Sequence, residues 1–136
     1  MNAEALVYRW VELYNDGSPE TYGSDQYLEL YAPDCRWTES PTPLTPEGRR
    51  GNRAAIRAAL EVGQVCFVDR HEELQELVVE GDRAAMWHTW SATVATDLGP
   101  DAPPLGARVT IDGATFLRVA DGLIVEINEI LSQPRW

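Results

Sequence analysis

Basic residues are scarce in this chain. Eleven Lys and Arg stand against twenty-two Asp and Glu, which gives a net charge of −11. Such a surface repels an anionic bilayer and offers a phosphate backbone no counterion-release term. Neither nucleic acid nor membrane is an expected partner. Cysteine is scarcer still. Cys35 and Cys66 are the only two, and they have neither metal-ligand spacing nor the number for a disulfide framework. They read as small, half-buried apolar residues in a reducing compartment. No apolar run approaches the ~18 residues of a membrane span. The stretch MNAEALVYRW lacks the basic and apolar regions of a signal peptide. The expectation is a soluble, cytoplasmic protein. Internal repeats, a phosphate-binding glycine loop and a Gly-x-Ser-x-Gly elbow are also missing, and no cofactor is expected.

What the chain does have is material for a core. Of its 136 residues, 44% are hydrophobic, with five Trp and five Tyr. A chain of this length forms one domain, residues 1–136, that buries roughly two-thirds of its unfolded surface. Ala3, Leu6, Trp10, Leu13 and Tyr14 recur at helical spacing up to Asn15-Asp16-Gly17. Ser24 is a candidate N-cap for a short helix holding Tyr27, Leu28, Leu30 and Tyr31, which Pro33 should stop. Cys35–Glu39 reads as a short strand before the Pro-rich loop SPTPLTPEGRRG. Asn52 caps a third helix with Ile56, Ala59 and Leu60 on its buried stripe.

After Gly63 the pattern changes to strands: Val65–Val79, Arg83–Ala95, Ala107–Val119 and Leu123–Ser132. The turns Glu80-Gly81-Asp82 and Ala120-Asp121-Gly122 are short and imply antiparallel neighbours. Helices followed by an antiparallel meander predict an α+β domain with helices on one face of a sheet. Val65–Val79 shows no clean alternation, so its faces stay unassigned and a bulge within HEELQE is expected.

Alternation exposes three ionisable residues in apolar registers. Glu129 shares a face with Leu123, Val125, Ile127 and Leu131. His88 shares one with Ala84, Met86, Trp90 and Ala92, and Glu39 lies in register with Cys35 and Trp37. The matching register of the penultimate strand carries only the uncharged Thr115. A carboxylate at a strand end can instead reach solvent, and a lone histidine can be a satisfied core residue. Three buried charges converging on one concave face would share their desolvation cost and mark a site. A carboxylic acid in an apolar pocket has its pKa raised toward neutrality, as a general acid or base requires. A metal held by His88 and two carboxylates is a minor alternative. His71, among Arg70, Glu72 and Glu73, reads as a surface histidine. Trp87 falls on the outer sheet face, a natural homodimer surface, unless the C-terminal QPRW covers it.

The segments LYAPDCRWTESP, RRGNRAAIRAAL, VVEGDRAAMWHTWSAT, PPLGARV and FLRVADGLIVEINEIL, in this order, resemble the SnoaL-like polyketide cyclases. The wider superfamily is named after nuclear transport factor two and includes ketosteroid isomerase and limonene epoxide hydrolase. The resemblance implies a cone-shaped, curved antiparallel sheet wrapped by three N-terminal helices around a small-molecule pocket. It implies that Glu129 stands for the cyclases' acid/base aspartate and the hydrolase's water-activating aspartate. Glu39 falls near the isomerase's proton-abstracting aspartate and the hydrolase's water-holding asparagine. The isomerase's oxyanion donors are matched by Trp10 and Thr115, and the hydrolase's middle-strand Arg and Asp by His88 and Trp90, so neither machinery is intact. Glu129, His88 and Glu39 are therefore the candidate catalytic residues. Trp10, Tyr14, Trp37, Met86, Trp90, Thr115 and Leu117 are the candidate contacts to a small apolar ligand. The expected activity is cyclase- or isomerase-type acid–base chemistry on a polyketide- or terpenoid-like carbonyl compound. A non-catalytic ligand-binding or dimerisation module and an epoxide or lactone hydrolase are the alternatives.

Overall fold

The computed structural model describes residues 1–16 and 25–136. Helix α1 spans Ala3–Asn15 and buries Leu6, Val7, Trp10, Leu13 and Tyr14. The Asn2 side chain opens it by accepting from the Ala5 N–H at 2.9 Å. Helix α2 is the single turn Asp25–Leu28; the proposed cap Ser24 lies outside the described residues. Helix α3 spans Arg53–Cys66. Asn52 caps it as expected, its Oδ1 accepting from Ala54 and Ala55 at 3.0 and 3.3 Å.

Six strands follow the order β2-β1-β6-β5-β4-β3 in one curved sheet. They are β1 (Tyr31–Glu39), β2 (Arg49–Gly51), β3 (Phe67–Glu80), β4 (Arg83–Val94), β5 (Arg108–Ala120) and β6 (Leu123–Leu131). From β3 to β6 the chain is an antiparallel meander. Its last hairpin turns on Asp121 and Gly122, both at positive φ. The α+β class and the helix-wrapped cone hold.

The structure departs from the sequence reading at three places. First, β1 runs parallel to β6, with Arg36 opposite Glu126 and Glu39 opposite Glu129. Short turns dictate antiparallel pairing only between consecutive strands; β1 returns to the sheet beside a strand some ninety residues later. Second, Tyr31 opens β1 rather than ending a helix. It pairs with Ile124, and the Ile124 N–H donates to the Leu30 carbonyl at 2.8 Å. Pro33 sits where the β1–β6 register shifts, between Tyr31 and Arg36. Third, Arg49–Gly51, read as loop, pairs with the end of β1 and sets Arg49 opposite Glu39. Gly48 permits that return: at φ +70°, a Cβ would lie 2.5 Å from the Glu39 carbonyl oxygen.

The expected bulge within HEELQE is present, with a shift between Leu74 and Glu76, and a second lies between Val68 and His71. Each shift changes which parity of β3 faces inward. Phe67 pairs with inward Val94, Glu72 with Trp90, Leu74 with His88, and Leu77 with Met86. The main core lies between the inner sheet face and α1, built from Leu6, Val7, Trp10, Met86, Leu117, Ile124 and Ile127 among others. No described helix is long and apolar enough to cross a membrane.

Candidate functional site

The wider part of the cone holds a cavity of about 580 Å³. Trp10 and Tyr14 from α1, Tyr27 from α2, Tyr31 and Trp37 from β1, and Phe67 and Trp90 give it aromatic walls. Residues Leu98–Pro103 and the tail residues Pro134 and Trp136 stand at its edge. The tail is held there by backbone bonds between Thr110 and Arg135 and by Arg135 donating to Asp112 at 2.6 Å. It therefore does not cover Trp87, which is 54% exposed on the outer sheet face beside Phe116 and Ile130.

Three polar groups meet this cavity. The first is Glu129 with Glu39, Arg49 and Trp37. Parallel pairing places the two glutamates side by side on the inner face. Arg49 grips Glu39 through two bonds of 2.9 Å and lies over the Trp37 ring at 5.4 Å. The Trp37 indole N–H donates to Glu129 Oε2 at 3.0 Å. Burial, then the neighbouring Glu39 charge, push Glu129 from an ordinary 4.5 up to about 7; the Trp37 bond and the His88 charge pull the other way.

The second group is fully inside the protein. His88 Nδ1 meets Glu72 Oε2 at 2.8 Å, and Nε2 meets Thr115 Oγ1 at 2.7 Å. The Thr115 hydroxyl serves either state of the ring, donating to the neutral imidazole or accepting from the imidazolium. Burial lowers the His88 pKa, but the bond and charge of Glu72 and the charge of Glu129 outweigh it, and the net shift is upward. Gly113 makes room for the ring: a Cβ there would lie 2.7 Å from His88 Nε2. Asn15, at the end of α1, clamps Glu72 by pairing with both its backbone N–H and its carbonyl at 2.7 Å.

The third group is aromatic. The Trp10 indole N–H donates to the Tyr31 hydroxyl at 2.8 Å, and that hydroxyl lies 3.2 Å from the Tyr27 hydroxyl. Trp90 donates to the Tyr14 hydroxyl at 2.6 Å. Burial pushes the Tyr27 and Tyr31 phenols well up, with the Glu129 charge adding to it.

Of the sequence-derived candidates, Glu129, His88, Glu39, Trp10, Tyr14, Trp37 and Trp90 line the cavity. Met86 and Leu117 do not; they belong to the closed cluster around Leu6 and Val7. Thr115 also lies outside it, fully buried with its hydroxyl engaged by His88. Two expected roles change. Both His88 ring nitrogens are taken by protein partners, Glu72 and Thr115, so His88 does not hydrogen-bond to Glu129. Glu39 is not a lone second base, because Arg49 occupies both its oxygens. His71 is exposed, as expected. Glu72, Arg49, Tyr27 and Tyr31 are site residues that the sequence reading did not select. Among the described residues, no group of three or more His, Cys, Asp or Glu side chains is placed to hold a metal.

A helix-wrapped cone with an acid inside an aromatic cavity defines a small-molecule-pocket class of α+β protein. The SnoaL-like domain profile matches residues 7–127, and the chain belongs to that family. Similar solved structures include IdmH, a candidate polyketide cyclase from Streptomyces antibioticus, at 26% identity and TM-score 0.74, covering 95% of this chain and 91% of that one. AclR, a candidate hydroxylase from Streptomyces galilaeus, shares the fold at 23% identity and TM-score 0.73, covering 95% and 77%. A protein of ketosteroid isomerase-like fold from Catenulispora acidiphila is similar at 15% identity and TM-score 0.68, covering 95% and 85%. No curated protein shows significant similarity to the chain.

Proposed function

We propose that the chain is an acid–base enzyme of cyclase or isomerase type acting on an apolar, polyketide- or terpenoid-like carbonyl compound, with Glu129 as the proton-transferring group. The observation that carries this reading is the Glu129 carboxyl itself: it opens on an aromatic cavity, is oriented by the Trp37 N–H, and titrates near 7. At neutral pH both of its forms are populated, so one group can take a proton and return it. The likeness to IdmH, a candidate polyketide cyclase, supports the substrate class.

In the forward step, ionised Glu129 takes a proton from carbon adjacent to a ligand carbonyl. The C–H electron pair becomes the enolate double bond, and the carbonyl π pair moves to oxygen. Where the ligand is β,γ-unsaturated, the resulting dienolate regains the proton at the γ-carbon as the double bond shifts and the carbonyl re-forms; otherwise the enolate carbon attacks another carbonyl of the same molecule, whose oxygen receives the proton. The whole sequence is redox-neutral. Glu39, paired with Arg49, keeps a negative charge beside Glu129 and so sustains its basicity.

A direct test uses 1-tetralone in D2O, following exchange of its α-protons by NMR. Wild type should catalyse the exchange. Glu129→Gln should abolish it while ketone affinity stays within about tenfold, roughly 1.4 kcal/mol. A fully active Gln variant overturns the assignment. Unchanged behaviour in both Glu129→Gln and Glu39→Gln would favour a binding or dimerisation module. We also propose a homodimer through the outer sheet face, supported by exposed Val78, Trp87, Phe116 and Ile130 there.

A further inference from the structure

Trp10, Tyr31 and Tyr27 hold one more proton than their contacts use. The indole N–H only donates, and each phenol brings one O–H. Two contacts join the three groups: Trp10 to Tyr31 at 2.8 Å, and the two hydroxyls to each other at 3.2 Å. The first uses the indole proton and the second uses one phenolic proton. Whichever way the hydroxyl–hydroxyl bond runs, one phenolic O–H has no acceptor among the described residues.

That leftover donor cannot be lost by ionisation, since burial and the Glu129 charge hold both phenols neutral. It is not spent on Glu129, which acts on the phenols through its charge alone. The two rings are 3% and 2% exposed, and both line the cavity. A buried hydroxyl with a proton to give is costly to leave unmatched. The indole bond polarises the chain in the useful direction, because an oxygen that accepts becomes a better donor.

We propose that the Tyr27–Tyr31 hydroxyl pair, backed by the Trp10 N–H, receives the carbonyl oxygen of the ligand and stabilises the charge that develops there. This deepens the acid–base reading and rests on it for the ligand class: an aryl or polycyclic ketone whose α-carbon faces Glu129. It also supplies what the positions of Trp10 and Thr115 lack. Trp10 contributes its proton indirectly, through Tyr31, and Thr115 is committed to His88. Preorganised donors aimed at a developing oxyanion are worth about a hundredfold or more in rate.

The test uses 1-tetralone labelled with ¹³C at the carbonyl. Bound to wild type, its carbonyl resonance should lie downfield of its position in Tyr27→Phe/Tyr31→Phe. The double variant should bind it about five- to tenfold more weakly and exchange its α-protons about a hundredfold more slowly. Equal carbonyl shifts in wild type and double variant overturn the proposal, as does failure of the ketone to bind wild type. Should the double variant not fold, the single variants decide. Tyr27→Phe leaves Tyr31 backed by Trp10, whereas Tyr31→Phe leaves Tyr27 with neither bond, so at least one must move the resonance upfield; no movement in either overturns the proposal. Glu129→Gln separates the two ideas: it should stop exchange and leave the carbonyl resonance downfield. Exchange that depends on Glu129 with an unshifted carbonyl sinks only the tyrosine donor. A tyrosine-dependent shift without Glu129-dependent exchange sinks only the acid–base reading.

Discussion

Glu39 and Glu129 stand directly opposite each other on the parallel β1–β6 pair, and their partners differ. Arg49 holds the first through two charged bonds, while the second has the indole N–H of Trp37. Two adjacent carboxylates thereby acquire different tasks. One is half of an ion pair; the other is pushed by burial and by its neighbour's charge up to about 7.

The first prediction follows from that repulsion. With Glu129 near 7, the pH profile of kcat/KM should rise through about that value as the base forms. Glu39→Gln removes the neighbouring charge, so the rising limb should move to lower pH by roughly one unit. Ketone α-exchange measured across the range checks it. A limb that stays in place would show that burial alone sets the pKa.

Stability should respond with a defined sign. Glu129 is raised from 4.5 to about 7 in the fold, so the folded state holds this proton more tightly than the unfolded chain. Below the unfolded value the group costs nothing; as pH rises through the window the burial penalty appears, and above the folded value it is complete. Glu129→Gln should therefore be more stable than wild type above about pH 8, by on the order of 1–3 kcal/mol, and nearly equal near pH 5. Urea unfolding at the two pH values reads the difference.

His88 should follow the same direction as Glu129, since both groups hold their protons more tightly in the fold. Its pKa is raised in the fold, so its stabilising contribution is fully present below the ordinary ~6.5 and fades as pH rises through the folded value. Glu72→Gln removes the bond and charge that overcome burial. The variant's His88 should titrate lower than in wild type, and its stability deficit should be larger near pH 6 than near pH 8. NMR titration resolves this, with exposed His71 as the control.

Gly113→Ala places a Cβ 2.7 Å from His88 Nε2 and 3.3 Å from a Leu131 methyl. The ring is enclosed by Glu72 and Thr115 and has nowhere to go. A loss of about 1–3 kcal/mol is expected from overpacking, with an altered His88 titration in the same sample.

On the outer face, Trp87→Arg should convert a dimer to a monomer in sedimentation velocity while leaving ketone affinity unchanged, because Trp87 points away from the cavity. A wild type that sediments as a monomer would refute the proposed dimer.

Period-two alternation is enough to put Glu39, His88 and Glu129 inside, because β1 keeps it from Cys35 to Glu39, β4 along its length and β6 from Ile127 onward; earlier in β6 a shift of register brings Ile124 inside, so the expected face through Leu123 and Val125 does not hold there. Helical spacing likewise finds Trp10 and Tyr14. Alternation reports a face, however, and not a depth. Met86 and Leu117 share the inner face with His88 and Glu129, yet lie where α1 closes on the sheet, so they became core. Arg49 was hidden in a Pro-rich segment because its strand is three residues long. Tyr31 reads as helix from local spacing because its partner strand lies far along the chain. Glu72 was hidden by the shifts of register in β3, which break the alternation that would have announced it.

Those shifts make β3 a strand whose reading frame matters. Gln75 is the extra residue that lets Glu72 and Leu74 face inward on one side of it and Leu77 on the other. Deleting it would leave the strand with one parity from His71 onward, and the chain would have to choose which half to keep correct. Keeping Leu77 inside turns Glu72 out to solvent, strips His88 of its carboxylate and unfastens Asn15 from the sheet. A one-residue deletion in β3, which β4 and β5 separate from β6 in the sheet, would thus act as a switch on the charge of the cavity, and length in this strand is as constrained as identity.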